Sequence, residues 1–126
     1  MAAAQKVIVV LCMAGPRNPA AAATALVYAQ TARALDAVVE VHLTGESVRL
    51  AFQGEAASLY SDSKREHSIQ SFFERCHEMG IKLYVCGMAM QEHHHGEALI
   101  PEVQGVAGTT SVLGQMLHEG ARVLTF

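Results

Sequence analysis

Apolar residues enter this chain as short unbroken runs separated by stretches of helix length. Val7-Ile8-Val9-Val10-Leu11 is the first run, of strand length and rich in β-branched residues. Such a run predicts a strand covered on both faces, as in a parallel sheet. Gly15-Pro16-Arg17-Asn18 then reads as a loop, with Asn18 as N-cap and Pro19 as first helical residue of a helix running to about Leu35. Ala22, Ala25, Ala29 and Ala32 recur at helical spacing, which lets the helix backbone lie close to a sheet. The pattern is the start of a βαβ unit.

Val38 to Leu43 is the second predicted strand, and Thr44-Gly45-Glu46-Ser47 the turn into a helix ending near Gly54. Glu55 to Asp62 is irregular. Ser63-Lys64-Arg65-Glu66 has capping-box spacing, after which Ile69, Phe72, Phe73, Cys76 and Met79 trace one helical face that Gly80 stops. Lys82 to Cys86 is the third strand, Val103 to Ala107 a fourth and Arg122 to Phe126 a fifth, with a helix from about Thr110 to Glu119 between the last two. Strands alternating with helices predict a three-layer, flavodoxin-like α/β domain, with helices on both faces of a mostly parallel five-stranded sheet. Ligands in such folds gather at the carboxyl ends of the strands, where strand order reverses.

At 126 residues and 51% hydrophobic, the chain is expected to form one domain, residues 1–126, with a substantial core. Its net charge is −3 and its nine Lys and Arg residues are scattered, so no nucleic-acid-binding stripe is expected. No run approaches the ~20 apolar residues of a membrane span. Val7 to Met13 follows a lysine like a signal-peptide core, but it is short, β-branched and leads straight into a capped helix, so it reads as a strand. Three irregularly spaced cysteines do not make a disulfide framework and place the protein in the reducing cytoplasm. The positive mean hydropathy points to apolar surface covered in an oligomer.

Cys86 is the leading chemical candidate. It stands where the third strand stops and Gly87-Met88-Ala89-Met90 begins a helix, so free N–H groups from about Gly87 to Ala89 and a positive dipole end favour its thiolate. Cys12 ends the first strand. If strand order is that of flavodoxin, the two strands are neighbours and a sulfur relay or reversible disulfide follows; otherwise Cys12 is a small hydrophobe at the top of the core. Cys76, within an apolar helical face, reads as core.

Met88, Met90, His93, His94 and His95 concentrate soft donors after Cys86, a set that suits Cu(I) or Zn(II). Three consecutive histidines on a helix point in three directions, which favours a solvated tract, although one of them could serve the Cys86 thiolate as a proton acceptor. No dinucleotide fingerprint, phosphate loop or nucleophile elbow is present, and no resident cofactor is expected. His42, His67, His77 and His118 are dispersed and carry no separate signal.

In order, these segments resemble the DsrE/DsrF-like family of sulfur-handling proteins, TusD-type relay proteins among them. The likeness runs through Tyr28-Ala29, Val41-His42-Leu43-Thr44-Gly45-Glu46-Ser47-Val48-Arg49-Leu50-Ala51, Gly80-Ile81, Lys82-Leu83-Tyr84-Val85-Cys86, Glu97-Ala98-Leu99-Ile100 and Gly105-Val106 to Thr110. It implies a five-stranded parallel sheet, assembly into homotrimers or homohexamers, and a cysteine at Cys86 that holds sulfur as a persulfide for a donor or acceptor partner. Met88, Met90 and the three histidines depart from the polar or small residues expected after the family cysteine. Beside a sulfur carrier or sulfurtransferase stand two other readings, a soft-metal module built on segment 86–95 and an oligomeric partner-binding protein without catalysis.

Overall fold

The structure, a computed structural model, describes residues 4–126. Five strands, β1 (Lys6–Leu11), β2 (Val38–Leu43), β3 (Lys82–Val85), β4 (Val103–Val106) and β5 (Arg122–Thr125), alternate with helices α1 (Pro19–Ala34), α2 (Ile69–Glu78), α3 (Gly87–His93) and α4 (Thr109–Glu119). All pairings are parallel, and the sheet runs β4-β3-β2-β1-β5. The three-layer α/β class and the parallel sheet are those the hydrophobic pattern predicts.

Strand order explains the two unequal faces. The chain steps from β1 through β4 in one direction, then returns past β1 to add β5. Right-handed crossovers in opposite directions place their helices on opposite faces. Accordingly α1 and α2 cover one face, where Val9, Leu11, Val39, Val41, Leu43, Leu83 and Val85 form the main core with Leu26, Ile69 and Phe73. The other face has a smaller core of Ile8, Val112 and Ala121 beneath α4.

Local signals set most boundaries. Asn18 caps α1, its side chain accepting from the Ala21 N–H at 3.3 Å, and Pro19 opens the helix. Gly80, at φ +80°, ends the α2 segment as expected. Two expectations are corrected. The α2 cap is Ser68, which accepts from the Ser71 N–H, rather than Ser63; Arg65 at φ +56° breaks the chain direction between them. The segment after β2 is a 3-10 helix, Gly45–Ala51, that ends before Phe52 and not at Gly54. The buried Ser47 hydroxyl lies 2.7 Å from both the Leu11 and Thr44 carbonyls and tightens this turn onto the end of β1.

Candidate functional site: the Cys86 cavity

The register of β2 and β3 places the thiol. His42 pairs with Tyr84 and Leu43 with Val85, so Thr44 comes level with Cys86. The Cys86 N–H donates to the Leu43 carbonyl at 2.8 Å, the last link to β2, and the Cys86 carbonyl accepts from the Met90 N–H at 2.9 Å as α3 begins. Cys86 is therefore both the residue after a strand and the N-cap of a helix.

Its sulfur makes no side-chain capping hydrogen bond to the helix. Burial works against the anion, but the N–H of Ala89, the Thr44 hydroxyl and the N–H of Met88 outweigh it and hold the thiol below its ordinary pKa. These are the N–H groups expected from sequence, joined by a hydroxyl that the sequence did not single out. Cys76 and Cys12 behave oppositely. Cys76 is buried among core side chains and burial pushes its pKa up, only partly offset by the Gln30 amide. Cys12 is pushed up by partial desolvation.

Cys86 and Cys12 line one cavity of about 230 Å³ between the carboxyl end of the sheet and the start of α4. Its wall is mostly apolar, with Val10, Ala107, Val112, Leu113 and Val123 from strands and α4, and it contains no Lys or Arg. The conditional adjacency of their strands does not hold: β2 lies between β1 and β3. Two strand spacings, roughly 10 Å, separate the backbones, beyond the roughly 7 Å reach of a disulfide. The thiols share a chamber without being neighbours.

Sequence reasoning missed His42. It sits within β2, is 4% exposed, and lines the same cavity. Its Nε2 is 2.8 Å from Glu40 Oε1, and its ring stacks on Tyr84 with centroids 5.0 Å apart. Lys6 Nζ lies 3.0 Å from Glu40 Oε2, and the Gln115 amide donates to Glu40 Oε1 at 3.2 Å. Burial alone would raise the Glu40 pKa, but hydrogen bonds from His42, Lys6 and Gln115 and the Lys6 charge lower it overall. The readable signal was an acidic and a basic residue two apart inside an apolar strand, hence on one face.

The soft donors after Cys86 lie elsewhere. Met88 is exposed and Met90 packs against the main core. His93 and His95 line a separate depression with Arg49, Phe52 and Glu97. His94 Nε2 lies 2.6 Å from the Glu97 carbonyl, its ring edge-on to Phe52. Among the described residues no three His, Cys, Asp or Glu side chains converge to hold a metal ion.

The DsrE/DsrF-like family model matches residues 6–126, from the first strand to the last residue. The chain belongs to the DsrE/DsrF-like family. Membership suggests a role in sulfur relay in general terms. The structure is similar to that of the YchN protein from E. coli, with a TM-score of 0.75 at 18% identity over 98% of this chain and 100% of that one. It is also similar to MTH1491, a protein of unknown function from Methanobacterium thermoautotrophicum, with a TM-score of 0.63 at 13% identity over 97% and 99% of the two chains. At these identities the likeness is one of fold. No curated protein matches the chain. Among the described residues, no helix is long and apolar enough to cross a membrane.

Proposed function

We propose that this DsrE/DsrF-like protein is a sulfur carrier in which Cys86 accepts a sulfane sulfur, holds it as a persulfide and passes it to a partner. The observation that supports this most is the thiol itself: of the three free cysteines, Cys86 is the one whose surroundings favour the thiolate, and it opens on a cavity large enough for a small donor. Sulfur transfer needs a thiolate nucleophile, and a persulfide gains from a site with little water. Cys12, across the chamber and biased toward the neutral thiol, is a secondary sulfur site. We assign the protein to the cytoplasm, where its thiols stay reduced. We also assign it to a homotrimer or homohexamer, because α4 carries an exposed apolar stripe of Leu113, Met116 and Leu117 beside the cavity.

Intact-protein mass spectrometry after exposure to polysulfide and to thiosulfate tests the carrier role. Added sulfur that persists in Cys12→Ala and vanishes in Cys86→Ala is the expected result. A wild-type protein left unmodified by both of these and by a neutral alkyl hydropersulfide would refute it.

A further inference from the structure

Among the described residues three buried side-chain atoms have no hydrogen-bond partner: His42 Nδ1, Glu102 Oε2 and Gln115 Oε1. Leaving such an atom unpaired forfeits its hydration without return, so each needs a reason. Only His42 among these three residues lines the Cys86 cavity.

The ring is held from one side. Glu40 is kept ionised and can only accept, so the proton of the neutral ring sits on Nε2, facing Glu40 Oε1 at 2.8 Å. Nδ1 then has a free lone pair. Lys6 and Gln115 fix the carboxylate, and Tyr84 fixes the plane of the ring by stacking. An imidazole oriented by a carboxylate, with its other nitrogen bare and a thiol on the same cavity wall, is equipped to accept a proton and to give it back. The carboxylate stabilises the imidazolium in between.

The cavity also says what kind of donor suits it. An apolar wall with no Lys or Arg disfavours an anionic donor and accommodates a neutral one. Building on the carrier reading, we propose that His42 is the proton carrier of the Cys86 site, taking the proton that Cys86 releases and returning it to the thiolate that leaves when a neutral hydropersulfide hands over its outer sulfur.

The step balances. Cys86 Sγ has no direct hydrogen bond to the ring, so it gives its proton to His42 Nδ1 by way of a water in the cavity and attacks the outer sulfur of R–S–SH. A new S–S bond forms as the donor's S–S bond breaks, and the bonding pair leaves on R–S⁻. The imidazolium protonates R–S⁻ to R–SH. Cys86 ends as Cys86–S–SH, the outer sulfur keeps its hydrogen, and no oxidant or reductant is consumed.

The test compares two reactions of the same thiol. Transfer from a small neutral alkyl hydropersulfide expels a thiolate that needs a proton, whereas alkylation by iodoacetamide expels iodide, which does not. Both rates are measured by intact mass for wild type, His42→Gln, His42→Ala and Glu40→Gln, each checked by circular dichroism to be fully folded at the assay temperature. The expected result is a ratio of transfer to alkylation that falls about tenfold or more in His42→Gln, falls less in Glu40→Gln, and recovers in His42→Ala with added imidazole. A structural role would lower both rates together, so an unchanged ratio overturns the assignment. If the His42 variants do not fold, Glu40→Gln decides by the same ratio. A wild-type protein that alkylates at Cys86 yet gains no sulfur removes the carrier reading itself. One that gains sulfur with the ratio unchanged in the variants removes only His42.

Discussion

Cys86 and His42 stand one step apart on neighbouring parallel strands and line the same cavity. His42 is level with Tyr84, Thr44 follows it by two residues, and Thr44 is level with Cys86. The thiol thus has a hydroxyl beside it and an imidazole one row behind, all on the sheet face that α4 covers.

Thiol reactivity should follow the opposite shifts of the cysteines. With the Cys86 pKa lowered and that of Cys12 raised, iodoacetamide at pH 7 should label Cys86 first, although Cys12 is the more exposed. The midpoint of labelling against pH should lie below the usual thiol range for Cys86 and above it for Cys12. Thr44→Val removes a group that favours the anion, so it should move the Cys86 midpoint up and slow labelling at pH 7 severalfold. Peptide mass mapping reads all of this, and faster labelling of Cys12 would contradict it.

Ser47 should matter to both stability and chemistry. Its fully buried hydroxyl ties the turn after β2 to the Leu11 carbonyl, and the same turn holds Thr44 beside Cys86. Ser47→Ala should cost about 1–2 kcal/mol in urea unfolding. It should also slow Cys86 alkylation, because Thr44 loses its anchor. Loss of stability with unchanged Cys86 reactivity would show that the turn does not position the hydroxyl.

Glu40 makes an acid-sensitive contribution. Its pKa is lower in the folded protein than in the unfolded chain, so the stability it adds is fully present above the unfolded value of about 4.3 and is lost as pH falls through the lower folded value. Glu40→Gln should therefore destabilise the protein near pH 6 by about 1–3 kcal/mol. The gap between the two proteins should close below about pH 4. Thermal unfolding across that range checks the sign, and a gap that widens in acid would mean the carboxylate is not stabilised as described.

Strand existence was legible in the sequence because β1 is apolar on both faces, which leaves the unbroken run Val7 to Leu11, and β2 is apolar along the whole face that α1 and α2 cover. Strand order was not. The placing of β3 outside β2 and the return of β5 to the far side of β1 are tertiary choices that local periodicity does not encode, and the first of them undoes the conditional adjacency of the Cys12 and Cys86 strands. The Cys86 setting was readable because strand end and helix start are both local. His42 was obscured for a related reason: in a run read as continuous core, Glu40 and His42 look like interruptions until α4, through Gln115, is seen to close over them. The Ser63 capping box failed because the left-handed Arg65 delays the helix to Ser68.

Helix α4 turns Val112 and Gln115 toward the sheet and leaves Leu113, Met116 and Leu117 exposed at i, i+3 and i+4, one continuous stripe on an 11-residue helix. Leu117 is 68% exposed, an unusual position for a leucine beside two other apolar residues unless another surface covers it. Leu113 also belongs to the cavity wall, so a neighbour seated on this stripe would reach the mouth of the Cys86 chamber and limit the access of water and bulk thiols to a persulfide. Light scattering should give three or six times the 13.5 kDa chain mass for the wild type. Leu117→Glu, which places a charge in the stripe without touching the cavity lining, should lower that mass while leaving the fold intact by circular dichroism. It should also shorten the lifetime of a persulfide on Cys86 in the presence of a small thiol. A wild-type mass equal to one chain would remove the assembly and leave the chamber open to solvent on that side.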